Sequence, residues 1–164
     1  IMFKCWVFMD KKEGTYNHCT ACKIKKNCCC DFDDGIDNII ATSEEKNILL
    51  KRVGKEYEKY FKKINDSAYN ILSINSVCPF YKNGCTVYDI RPSDCRLFPF
   101  DLKNINGKYY LIKYDLPCGS KLVDEDNLDS IINTLKTIID TYTDKKLEER
   151  VNKLKFDIVR EIEI

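Results

Sequence analysis

No charge of one sign dominates this sequence: Lys and Arg number 27 against 26 Asp and Glu, a formal net charge of +1. Without a global basic field there is no electrostatic footprint for nucleic acid. With no acidic bias either, charge does not announce a partner. No run approaches the ~20 apolar residues of a membrane-spanning helix, so no membrane partner is expected. The stretch Ile1 to Met9 is interrupted by Lys4 and followed at once by Asp10-Lys11-Lys12-Glu13, too short for a secretory signal core. A cytoplasmic, reducing location is the expectation. Histidine is nearly lacking as well: His18 stands alone and reads first as a loop residue.

Cysteine, by contrast, is abundant, with ten in 164 residues. A chain of this length buries enough surface to fold as a single domain over residues 1–164 without covalent staples. In a reducing compartment clustered cysteines are more often metal ligands than disulfides. Cys5, in the aromatic run Phe3 to Phe8, reads as a small buried hydrophobe. Cys19 and Cys22 form a CxxC whose spacing lets two sulfurs turn toward one ion. Cys28, Cys29 and Cys30 are consecutive, and neighbouring Cα atoms about 3.8 Å apart are too close for an unstrained disulfide. Each of the three must find its partner elsewhere.

The stretch from Cys78 to Phe100 threads Cys78, Cys85 and Cys95 through turn residues and aromatics. Asn83-Gly84 is a tight-turn dipeptide that brings Cys78 and Cys85 back toward each other. Thr86-Val87-Tyr88 offers a short extended run, and Pro92 and Pro99 push Arg91 and Phe98 out of helical conformation. Upstream, Thr42 with Glu45 three residues later is a helix-start signal. Apolar residues from Ile48 to Ile64 recur at helical spacing, so a helix is predicted over roughly 43–64, with Gly54 as its weak point. Residues 68–77 read ambiguously. Phe98 to Lys103 and Lys108 to Asp115 form a predicted hairpin about Asn106-Gly107, ending near Cys118. Beyond it, Leu128, Ile131, Ile132, Leu135, Ile138 and Ile139 make a helical stripe. A further helix is predicted over roughly Asp144 to Glu161, with a seam of Leu147, Val151, Leu154 and Ile158 that offers a homodimer contact. Six clustered cysteines (19, 22, 78, 85, 95 and 118) with two of residues 28–30 supply eight thiols, enough for two four-thiolate sites.

Cys78-Pro79-Phe80, Cys85, Tyr88, Arg91-Pro92, Cys95-Arg96, Phe98-Pro99-Phe100 and Cys118, together with the earlier cluster, resemble the cysteine-cluster family that chelates zinc or iron. Its pattern is CxxCxxCC followed by CPF, a further Cys, Tyr, RPxxCR and FPF. The resemblance covers about Cys19 to Gly119. The first motif departs from the family's, since five residues separate Cys22 from the next cysteine and three cysteines stand where two are usual. Either Cys28-Cys29 or Cys29-Cys30 plays the family pair; the latter is chosen here. The resemblance implies metal chelation, with Cys19, Cys22, Cys29, Cys30, Cys78, Cys85, Cys95 and Cys118 as ligands.

Four thiolates on one Zn²⁺ leave two negative charges in excess. Arg91 and Arg96, which flank Cys95, are candidates to support them through hydrogen bonds to sulfurs or nearby carbonyls. Tetrahedral sulfur suits zinc or an iron–sulfur cluster alike. An aromatic shell of Phe80, Tyr81, Phe98, Phe100 and Tyr109 and the lack of paired CxxC knuckles tilt the choice toward iron–sulfur. The expected protein is a cytoplasmic metal binder of α+β class. A small antiparallel hairpin and cysteine-rich loops (about 19–119) pack against about three helices, and the carboxyl-terminal part (about 124–162) is helical. Two alternatives stand beside it. One is a cluster-dependent modifying enzyme, since similar cysteine clusters occur in flagellin lysine N-methylases; no glycine-rich loop with an acidic partner supports methyl transfer here. The other is a disulfide-stapled secreted domain.

Overall fold

The computed structural model describes residues 39–82, 84–115, 125–139 and 155–163. Strand β1 (Ile40–Thr42) runs directly into helix α1 (Ser43–Val53). Thr42 caps that helix, its Oγ1 accepting from the Glu45 N–H at 3.2 Å, while the Glu45 carboxylate accepts from the Thr42 N–H at 2.9 Å. This is the reciprocal capping box expected from the sequence. The helix stops eleven residues later, short of the expected position 64. Gly54, at φ +102° and ψ 157°, occupies backbone space that only glycine enters readily and turns the chain into a 3₁₀ helix (Lys55–Tyr60) and strand β2 (Phe61–Lys63). Tyr57, Tyr60 and Phe61 have the spacing of a helix, but they serve a tighter turn and a strand. The ambiguous stretch begins as strand β3 (Ala68–Ile71), which pairs antiparallel with β1 on one side and β2 on the other. A tight turn follows, Ile74 bridging Val77 with Asn75 and Ser76 both at positive φ.

A turn at Thr86-Val87 and a second 3₁₀ turn (Tyr88–Ile90) replace the extended run read from Thr86 to Tyr88, and helix α2 (Ser93–Leu97) follows. Arg91 (ψ 147°) and Phe98 (ψ 131°) lie outside helical conformation, as the prolines after them require. Phe98-Pro99 is a cis peptide. The predicted hairpin is present as β4 (Phe100–Ile105) and β5 (Lys108–Tyr114), joined by Asn106-Gly107 with both residues at positive φ. It is not the whole sheet. Strand β6 (Phe156–Ile162) adds to β5 antiparallel, with a bulge opposite Leu111 and Ile112. This corrects the last part of the helix expected over 144–161: from Phe156 the chain is a strand, which takes in the seam residue Ile158, while Leu147, Val151 and Leu154 fall outside the described residues. The β-branched residues Ile158, Val159 and Ile162 suit a pleated surface that the four-and-three spacing concealed. Helix α3 (Glu125–Thr137) carries the apolar stripe as expected and packs Leu128, Ile132 and Leu135 with Phe100, Leu102, Leu111 and Ile162.

The described residues thus combine helices with two three-stranded antiparallel sheets, an α+β architecture. No helix among the described residues is long and apolar enough to cross a membrane.

Candidate metal centre

The first sheet and α1 enclose an apolar cluster of Ile39, Ala41, Leu49, Ile71, Phe80 and Val87. Three thiols pack on this one cluster: Cys78, which is buried, and Cys85 and Cys95, which are half-buried. The backbone between them explains how each reaches it. The Ile74–Val77 turn sends the chain inward at Cys78, whose carbonyl accepts from the Tyr81 N–H at 3.0 Å. Tyr81 then bridges Cys85, and the Phe80 carbonyl accepts from both Thr86 N–H (2.9 Å) and Thr86 Oγ1 (2.8 Å). Gly84, at φ +145°, closes this loop.

Cys95 arrives differently, on the five-residue helix α2, which is too short to hold its own conformation. Its fixings come from outside. Glu45 Oε1 accepts from Ser93 N–H at 2.8 Å and from Ser93 Oγ at 2.6 Å, covering the start of α2. Asp94 Oδ2 accepts from the Ile40 N–H at 2.8 Å, tying the same helix to β1. Arg52 reaches Asp89 at 2.9 Å and holds the 3₁₀ turn before it. That guanidinium keeps the Asp89 carboxyl below its usual range, chiefly through the hydrogen bond. Glu45, Leu49 and Arg52 recur at helical spacing, so one face of α1 grips the span from Val87 to Ser93 in three places.

Arg96, although exposed, donates from Nε to the Arg91 carbonyl at 3.0 Å, one of the two kinds of acceptor anticipated for it. Arg91 is buried, and its guanidinium lies over the Tyr88 ring, 3.9 Å from the centroid. Together these contacts stiffen the Arg91-Pro92 corner immediately before α2.

Of the eight sequence-selected thiols, Cys78, Cys85 and Cys95 come together on one cluster; Cys19, Cys22, Cys29, Cys30 and Cys118 lie outside the described residues, as do Cys5, Cys28 and His18. Among the described residues no three Cys, His, Asp or Glu side chains by themselves form a metal-holding group. The donor chemistry nevertheless suits zinc or iron. The metal-ligand type among the residues packed on the cluster is sulfur, while the Glu45 and Asp94 carboxylates accept from backbone N–H groups of α2 and β1. The aromatic shell needs correction. Of the five aromatics expected, Phe80 packs here with Tyr57 stacked 5.7 Å away and Phe61 at 6.1 Å. Phe100 and Tyr109 pack under α3, Phe98 packs with Ile112 and Tyr114, and Tyr81 is 37% exposed.

Sequence reasoning missed Ser93 and Asp94, and saw Glu45 only as half of a capping box. The available signal was Pro92-Ser93-Asp94 itself, a proline followed by a small polar and an acidic residue, which opens helices.

A family model described as a putative zinc- or iron-chelating domain, CxxCxxCC, matches residues 18–119, more than half of the chain. No curated protein and no solved structure matches it.

Proposed function

Because the chain belongs to the CxxCxxCC family of zinc- or iron-chelating domains, we propose that its cysteines hold an iron–sulfur cluster or tetrahedral zinc in a reducing compartment. Cys78, Cys85 and Cys95 would supply three thiolates, and Cys19, Cys22, Cys29, Cys30 and Cys118 the remainder. The observation that supports this most is the convergence of three thiols from separate turns and a short helix on one apolar cluster. Sulfur donors in that setting select soft or borderline ions over magnesium or calcium. Of the two occupants, an iron–sulfur cluster is the preferred reading, because Phe80, with Tyr57 and Phe61 packed beside it, lies on the same apolar cluster as the thiols. Bound there, it would supply electron transfer or fix the fold; the turns and the short helix that carry Cys78, Cys85 and Cys95 set where the thiols sit.

Purification without oxygen, followed by metal and acid-labile sulfide analysis, tests the reading. Iron with matching sulfide and a broad visible absorption is expected, and Cys78→Ser, Cys85→Ser and Cys95→Ser should each lower the bound metal. Stoichiometric zinc on a colourless protein would retain metal binding and reject the cluster. A metal-free native protein, or one whose metal content is untouched by all three substitutions, would overturn the assignment.

A further inference from the structure

We propose that Glu45 is a positioning residue for the Cys95 thiol, an inference that rests on the metal-binding reading above. Cys78 and Cys85 are placed by turns that pack directly on the cluster around Leu49. Cys95 is carried on a separate five-residue helix, so its distance from the other two depends on how that helix docks. Glu45 fixes this docking together with Asp94, which ties the same helix to β1 through the Ile40 N–H. One carboxylate oxygen accepts from Ser93 N–H (2.8 Å) and Ser93 Oγ (2.6 Å), two residues before Cys95, and the other accepts from Thr42 N–H (2.9 Å). Four residues along the same face of α1, Leu49 is buried against Cys78, Phe80 and Val87. The two halves of the thiol set therefore refer to a single rigid helix, through an apolar contact on one side and a carboxylate on the other. Only an acceptor at both oxygens satisfies all three donors. A glutamine amide that keeps its oxygen on the Thr42 N–H turns its NH₂ onto Ser93, where it can donate to Oγ but leaves the Ser93 N–H without this acceptor. The reverse orientation sets NH₂ against the Thr42 N–H, so either way one of the three bonds is lost.

The full chain, stripped of metal under reducing conditions, is titrated with zinc against a chromogenic chelator and separately with Co²⁺, whose sulfur charge-transfer absorption reports ligand geometry. Glu45→Gln is expected to weaken zinc by about 10-fold or more, the range for groups that orient ligands from outside the coordination sphere, and to alter the cobalt spectrum. Thr42→Ala is the structural control: it removes the other half of the capping box but leaves Glu45 on Ser93. It should lower the melting temperature while zinc affinity and cobalt spectrum stay native. Native zinc affinity in Glu45→Gln, or an equal loss in Thr42→Ala, would overturn the proposal. Should Glu45→Gln fail to fold, Ser93→Ala, which deletes only the 2.6 Å hydroxyl bond, takes its place; weakened zinc supports the proposal and native affinity refutes it. A native chain that takes up neither metal here, and no iron with sulfide when purified without oxygen, defeats the metal-binding reading and this inference with it. A native chain that binds, matched by its variants, defeats only the inference.

Discussion

Replacing Leu49 by alanine should destabilise the protein far more than replacing its neighbour Ile48. Leu49 is fully buried, in contact with the cluster that carries the thiols, whereas Ile48 is 41% exposed on the other side of the same helix turn. Leu→Ala removes three buried carbons, about 2.4 kcal/mol at about 0.8 kcal/mol each. The cavity adds to this, because Ile71 is held in β3 and Phe80 and Val87 in hydrogen-bonded turns, so they collapse only in part and the total is about 3 to 4 kcal/mol. For a chain of this size that corresponds to a fall in melting temperature of about 6 to 16 °C. Ile48→Ala should cost under about 1 kcal/mol. Thermal unfolding of both variants followed by circular dichroism, in one buffer and at one metal loading, makes the comparison. Equal shifts, or a fall of less than about 3 °C for Leu49→Ala, would mean that α1 does not pack on the thiol cluster by this face.

Three further outcomes are expected. Gly54→Ala should cost about 1 to 3 kcal/mol in urea unfolding, since at φ +102° the new Cβ is strained and also meets the Glu56 carboxylate. Tyr114→Phe should cost about 1 to 3 kcal/mol, because its hydroxyl donates at 2.7 Å to the buried Asp101 carboxylate; a neutral result in the same assay would contradict the burial of that bond. The Arg52–Asp89 pair gives a small acid dependence. Arg52 lowers the Asp89 pKa in the folded state, so the unfolded chain takes up the proton first. The stabilisation is present above the ordinary aspartate value of about 3.9 and is lost as pH falls through the depressed one. Arg52→Gln should flatten this acid limb of a stability–pH curve, and added salt should do the same to the native chain.

Much of the fold is legible wherever local rules act alone. The capping box of Thr42 and Glu45, the Asn106-Gly107 hairpin, the stripe of α3 and the non-helical residues before Pro92 and Pro99 each follow from a few adjacent positions. Errors appear where distant partners decide. Tyr57, Tyr60 and Phe61 share a helical period with Leu49, yet a single glycine conformation ends the helix, and the aromatics gather around Phe80 instead. Phe156 to Ile162 carries apolar spacing compatible with a helix, and its pairing with β5 settles it as a strand. For the site, residue type and spacing pointed to Cys78, Cys85 and Cys95 as ligands, and these three pack against one apolar cluster. The groups that fix Cys95 were hidden, since a hydrogen bond from Ser93 to Glu45 spans 48 residues and leaves no periodic trace.

Strand β6 also bears on where the chain tolerates cutting or fusion. A shortened version ending near residue 155 would not shed a loose end; it would strip the outer strand from β5. The N–H and C=O groups of Tyr109 to Tyr114 would lose their partners along one side, on a strand that carries Leu111, Ile112 and Tyr114. Such a bared edge recruits strands from other molecules, so a truncation intended to trim the protein would instead make it prone to self-association.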